Sequence, residues 1–353
     1  MHLSMREQQK YQESSSASMS GKPGMLALVL LAACGGADGA GNPVTPPSAT
    51  RTLTASFPTL GALEPSREGQ YALWVVPHGG AAVLLARFAG GNGTTISSAI
   101  PAGDFERVDV TVEPPGDSDP LPSPQRMLTG VLSGRQAMLG VVSALTVGSA
   151  AVRERPGQFT MFSPSDNGLY GYPSHEESGI WLFNMAPRAT EQRDMWVRLT
   201  PLREGWIYEG WMVRDIDTPQ AIWLSYGKFL PDATGAVNTR DDSGWGPFSG
   251  VPDFRFGEEE FPGDDWIANI MGLPFPAGLT LPLNLREKTP SGASRWTHVI
   301  SIEPAWNRGE SMTTERPFVL RPYQDPFGDG EPGTPRTITF QASRLPQGTA
   351  QVR

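Results

Sequence analysis

Gly69-Gln-Tyr-Ala-Leu-Trp-Val-Val76 and, farther along, Gly205-Trp-Ile-Tyr-Glu-Gly-Trp-Met-Val213 share one pattern: a glycine, then a tyrosine, two residues, a tryptophan, one residue and a valine. Their neighbours repeat in the same order. Leu60-x2-Leu63 precedes the first stretch and Leu199-x2-Leu202 the second, Arg87-Phe88 and Lys228-Phe229 follow, and Val110-x-Val112-Glu113-Pro114 is answered by Ile300-x-Ile302-Glu303-Pro304. The copies also close alike, Arg135 to Leu145 against Arg336 to Leu345. Self-similarity at a fixed period, here about 137 residues at the Tyr-x2-Trp core, marks a duplicated structural unit. Side chains alternate across a strand, so Trp74 and Val76 share a face, as do Trp211 and Val213, with Tyr71 and Tyr208 opposite. Aromatics beside β-branched residues are the material of a packed sheet.

Short segments with the same two-residue alternation surround the first copy: Thr52 to Phe57, Ala82 to Phe88, Arg107 to Val112 and Met127 to Leu132, each bounded by Gly, Pro or Asp. Gln136 to Val147 is apolar almost throughout and fits a strand pair or a short helix equally. The expected fold is all-β: two tandem antiparallel β-sandwich (Ig-like) domains, residues 52–150 and 151–345, with a C-terminal tail at 346–353. Glu113 and Glu303 each end a strand before proline. Equivalent placement in both copies argues that they accept hydrogen bonds for architecture instead of serving chemistry.

The chain carries 28 basic and 37 acidic residues, a net charge of −9, with no basic cluster, and so no electrostatic footprint for nucleic acid. Its single cysteine, Cys34, rules out an intramolecular disulfide. That cysteine ends the apolar run Met25 to Ala33, with Lys22 just upstream. About nine apolar residues are too few to cross a bilayer core of roughly 30 Å as a helix, which makes the run a signal h-region.

The string Leu31-Ala32-Ala33-Cys34 resembles a bacterial lipobox. The resemblance implies a signal peptide within residues 1–33, diacylglycerol on the Cys34 thiol, cleavage before it and acylation of the new amino terminus, with membrane attachment through that lipid. Residues 34–51, rich in Gly, Pro, Ser and Thr, then form a flexible tether. Met19 is the expected start, because Met1 to Ser18 are polar and Gln/Ser-rich. Gly35 after the cysteine lacks the aspartate that holds such proteins in the inner membrane, so the expected address is the outer membrane of the cell envelope.

Gly69 to Val76, Leu85-Ala-Arg-Phe88, Val108-Asp-Val-Thr-Val-Glu-Pro-Pro-Gly-Asp117, Pro122, Pro124 and Leu128-Thr-Gly130 together resemble the extracytoplasmic β-sandwich domain of anti-sigma-K factors. The second copy looks like a diverged version of the same domain. Such a factor also needs a membrane-crossing helix and a cytoplasmic helical segment, and no window of about eighteen apolar residues occurs in this chain. Direct contact with a cytoplasmic sigma factor is therefore not expected. The resemblance implies the outer module alone, acting through a separate membrane partner.

The second copy carries an insertion near 231–295 that is rich in Gly, Pro, aromatics and acids, including Asp241-Asp242-Ser-Gly-Trp-Gly-Pro-Phe-Ser-Gly250 and Glu258-Glu-Glu-Phe-Pro-Gly-Asp-Asp265-Trp266. Long loops on a rigid sheet are common binding elements. Trp245, Phe248, Phe254, Trp266 and Phe275 are the candidate contacts for an envelope protein or a glycan; buried against the second sheet, they would be a satellite core instead. The acids have no calcium-loop spacing and read as a solvated surface, so no metal or cofactor is expected. No Gly-x-Ser-x-Gly elbow, phosphate loop or His-Glu-x-x-His motif occurs, and no catalytic residues are assigned. A hydrolase built from scattered Ser, His and Asp is the minor alternative. The expected function is thus a non-catalytic binding or structural role in the envelope, with a regulatory or sensory role as the alternative.

Overall fold

The computed structural model describes residues 51–147, 157–163, 175–182, 197–231, 262–268, 275–306 and 316–353, with the backbones of three short strands between them. The strands of the first repeat are β1 (Arg51–Phe57), β2 (Gln70–Pro77), β3 (Val83–Phe88), β4 (Thr94–Ile100), β5 (Phe105–Glu113), β6 (Arg126–Val131) and β7 (Gln136–Gly140). Those of the second are β8 (Gly157–Phe159), β9 (Gly179–Trp181), β10 (Val197–Arg198), β11 (Trp206–Arg214), β12 (Ile222–Phe229), β13 (Ala236–Val237), β14 (Arg255–Phe256), β15 (Glu259–Glu260), β16 (Gly263–Asp265), β17 (Trp296–Pro304), β18 (Leu320–Pro326) and β19 (Arg336–Ile338). A final strand, β20 (Gln347–Val352), closes the chain. The fold is all-β and antiparallel, with one helical turn at Val142–Leu145 and two 3₁₀ turns among the described residues.

Eight strands form the first sheet in the order β3-β2-β5-β6-β7-β20-β1-β4. Its two ends approach one another, since the Ser98 hydroxyl of β4 donates to the Leu85 carbonyl of β3 at 3.2 Å. The second repeat builds the same array from shorter pieces: the sheet β12-β11-β17-β18, the pair β19-β8 and the pair β10-β13. Register makes the correspondence residue by residue. Tyr71 faces Phe88 and Val112, while Tyr208 faces Phe229 and Ile302. Both repeats carry a bulge immediately before the tryptophan, between Leu73 and Trp74 and between Gly210 and Trp211. A second bulge falls after Val110 in one and after Ile300 in the other.

Residues 346–353, expected as a tail, are corrected by this topology: β20 lies between β1 and β7 and pairs with both. Gly348, Ala350 and Val352 bury while Gln347 and Thr349 stay exposed, a two-residue alternation that small side chains conceal in the sequence. Gly348 is required where the strand meets the Phe57 ring, since a Cβ there would stand 2.7 Å from a ring carbon. β4, Thr94-Thr-Ile-Ser-Ser-Ala-Ile100, is likewise a strand that no apolar alternation announces, because its outward positions are exposed Ser, Thr and Ala. The undecided stretch after Arg135 resolves into strand β7 followed by one helical turn.

Residues Ser48–Arg353 form one compact unit, and a single apolar cluster takes in Leu53, Tyr71 and Val110 together with Tyr208, Ile300 and Tyr323. This core is the tyrosine face of both sheets. Trp74 and Trp211 point to the opposite face, and Trp211 joins a separate small cluster with Val213 and Val299.

Candidate functional site

The conserved-looking residues of the two copies are first of all architectural. The indole Nε1 of Trp74 donates to the Thr111 hydroxyl at 2.6 Å, and that hydroxyl donates to the Glu113 carboxylate. Glu113 also accepts from the Ser123 backbone N–H at 3.1 Å. In the second copy Trp211 donates to Ser301 at 2.8 Å, Ser301 donates to Glu303, and Glu303 accepts from the Phe318 N–H at 2.8 Å. The tyrosines match too: Tyr71 donates to the Gly61 carbonyl at 3.0 Å and Tyr208 to the Thr200 carbonyl at 2.6 Å, the same place in each copy of the leucine motif. Glu113 and Glu303 thus pin a loop to a strand end, satisfying buried donors. Burial raises the Glu113 carboxyl above its ordinary range.

The outer face of the first sheet holds a cleft of about 490 Å³. Trp74 and Thr111 form its base, Ala82 one side, and Arg107, Asp109 and Arg126 its polar wall. Asp109 is buried and saturated: it accepts from the Arg107 Nε at 2.9 Å and the Thr129 hydroxyl at 2.6 Å, with the Arg126 Nε at 3.4 Å. The start of the second repeat supplies the facing wall with Leu202, Arg203 and Glu204. That wall is held in place by backbone bonds from Val147 to Pro201 at 2.9 Å and from Arg203 to Leu145 at 2.7 Å, and by the Gln125 amide on the Gly205 carbonyl at 3.0 Å. A smaller cleft of about 310 Å³ lies where Val319, Arg321, Gln324 and Arg344 of the second repeat meet Thr59, Gly61 and Asn92 of the first. Sequence reasoning passed over both clefts, because their walls come from segments distant in the chain.

Of the loop residues proposed as partner contacts, Trp245, Phe248 and Phe254 lie outside the described residues. Trp266 is 0% exposed and belongs to the main core, and Phe275 is half-buried against it. For Trp266 an exposed binding role is therefore corrected to burial, in the main core and not in a satellite one, since burying so large an apolar surface is favourable wherever the sheet can accept it. Asp264 and Asp265, from the acidic run, are buried in β16, which pairs with β9. Cys34 also lies outside the described residues.

No group of three or more His, Cys, Asp or Glu side chains is placed to hold a metal among the described residues. His78 sits in the exposed β2–β3 turn and His175 at the head of a 3₁₀ turn. His298 is buried in β17 with its Nε2 2.9 Å from the Tyr226 hydroxyl, and burial lowers its pKa to about 3. It therefore stays neutral at ordinary pH, as a packed core group does. No helix of the described residues is long and apolar enough to cross a membrane.

Neither a curated protein nor a solved structure matches the chain. A family match covers the apolar run, Cys34 and the first repeat as far as Met127, and ends before the second repeat. Over residues 5–127 the chain is similar to the family described as anti-sigma-K factor rskA, C-terminal, which supports the resemblance carried by the Trp74 and Glu113 strands.

Proposed function

We propose that this protein is a non-catalytic envelope module, lipid-anchored at Cys34, that binds a protein partner and regulates through it in the manner of an anti-sigma factor's outer part. The observation that carries the reading is the family match, which spans the lipobox-like string and the first repeat as far as Met127. The placement of Glu113 and Glu303 as strand-end anchors supports a non-catalytic role, because the carboxylates that stand out in the sequence are engaged in structure. Action through a separate membrane protein follows from the anchor, since a lipidated module reaches partners in or beside its own membrane.

The test is intact mass and membrane fractionation of the wild type beside Cys34→Ser. Lipid mass on the wild type and membrane association that the variant loses are expected. An unmodified, soluble wild type would remove the anchor from the reading.

A further inference from the structure

The two repeats disagree at one place on their outer faces. Trp74 pairs with Leu84 and Trp211 with Ser225, so that Ala82 and Trp223 occupy the same position of their sheets. Thr111 pairs with Arg126, and the same register on β17 and β18 sets Arg321 where the first repeat has Arg126. In the second repeat these residues meet: the Trp223 ring packs edge-on to Trp211 at 6.0 Å, and the Arg321 guanidinium lies 4.6 Å over the Trp223 ring. The first repeat has the tryptophan base and the arginine, but alanine where the plug would be. The cleft of about 490 Å³ over Trp74 opens at that position, with Ala82 in its lining.

We infer that the cleft over Trp74 is a socket for an aromatic side chain, presented by an acidic peptide segment of a protein partner. The second repeat shows what such a socket accepts: an aromatic ring edge-on to the buried indole, capped by a guanidinium, an arrangement favourable to aromatics and arginine alike. The acidic character follows from the wall. Three guanidinium groups, on Arg107, Arg126 and Arg203, line the cleft beside the carboxylates of Asp109 and Glu204, and Asp109 is already shared between Arg107 and Arg126. Val299 stands in the second repeat where the first has Asp109, so the plugged site is apolar and the open one is charged. Arg107 is held by both Glu106 and Asp109, so a partner side chain that brings its own carboxylate meets the guanidinium groups of Arg126 and Arg203. The socket deepens the binding role proposed above by naming the site and the chemistry of what enters it.

Fluorine NMR on the full-length protein in detergent tests the socket with the tripeptide acetyl-Glu-(5-fluoro-Trp)-Glu-amide. Addition of wild-type protein is expected to broaden the fluorine line, and Ala82→Trp, which builds the plug of the second repeat, is expected to reduce that broadening at least five-fold. Arg126→Ala and Arg203→Glu should each reduce it as well, and they serve if Ala82→Trp does not fold. The Lys-flanked tripeptide should bind at least five-fold more weakly to the wild type, which separates the socket from partitioning into micelles. Equal broadening by wild type and all three variants, or none at millimolar peptide, would overturn the inference. So would binding of N-acetylglucosamine trisaccharide in place of the peptide, which would make the cleft a glycan site. None of these outcomes depends on the lipid at Cys34, so failure here and failure of the envelope reading are distinct results.

Discussion

Leu73, Leu85 and Val108 of the first repeat correspond in register to Gly210, Tyr226 and His298 of the second. The large phenol takes the room that the missing leucine leaves, and the imidazole gives its hydroxyl a partner at 2.9 Å. A Cβ added at Gly210 would lie 1.7 Å from the Tyr226 ring, so Gly210→Ala is expected to cost roughly 1–3 kcal/mol as an overpacking change. Combining it with Tyr226→Leu should recover part of that loss in denaturant melts, a coupling that independent sites would not show. His298 has its pKa lowered to about 3 by burial, whereas the unfolded chain protonates near 6.5. The unfolded state therefore binds the extra proton between those values, and stability falls as pH drops from about 6.5 toward 3, by at most about 1.4 kcal/mol per pH unit. His298→Gln, which can keep a hydrogen bond to Tyr226, should flatten that part of a stability-versus-pH profile; an unchanged slope would place the titration elsewhere. Trp74→Ala and Trp211→Ala should each cost roughly 3–5 kcal/mol. Thr111→Val and Ser301→Ala, which leave an indole N–H and a carboxylate short of a partner, should cost about 1–3 kcal/mol. A loss well below this in both would mean that water replaces the hydroxyl.

Strand β20 shows how an element unremarkable in sequence holds a sheet together. It fills the place between β7 and β1, and β8, which follows the helical turn closing the first repeat, pairs with β19 in the related place of the second. The segment after each repeat's closing turn thus completes the other repeat or its successor, and the chain's last residues complete its first sheet. Deletion of residues 347–353 is expected to detach the β1–β4 pair from β7 and expose Phe57 and Leu53, both fully buried in the intact fold. Near-UV dichroism and proteolysis of the first repeat read this directly, and an unaltered spectrum would show that β1 and β4 stay docked through the β3–β4 contact. The tryptophan and tyrosine strands were legible because alternation is strict and the residues are large. β4 and β20 were not, since the exposed Thr95, Ser97 and Ala99 of β4 and the buried Gly348 and Ala350 of β20 are small side chains that differ little from loop composition.

At the scale of the molecule, one apolar cluster joins both repeats, and Gln125 and residues 145–147 of the first repeat hold residues 201–205 of the second. A fragment ending near residue 150 lacks β20 and the facing wall of the cleft, so it is expected to be molten, without the cooperative thermal transition of the full chain. A sharp transition in that fragment would show that the first sheet closes without its eighth strand. The sequence by itself determined the all-β class, the duplication and the faces of its central strands, because a two-residue period and a repeated Tyr-x2-Trp spacing are local properties of the chain. It also carried the architectural role of Glu113 and Glu303, since equivalent carboxylates before proline in both copies pointed away from chemistry. Only the tertiary structure decided that the last strand belongs to the first sheet, that Trp266 is core, and that Ala82 leaves open the place Trp223 fills. The physical reason is that strand pairing and cleft walls bring together segments far apart in the chain, and no local pattern records which distant backbone will satisfy an edge or which side chain will be missing from a socket.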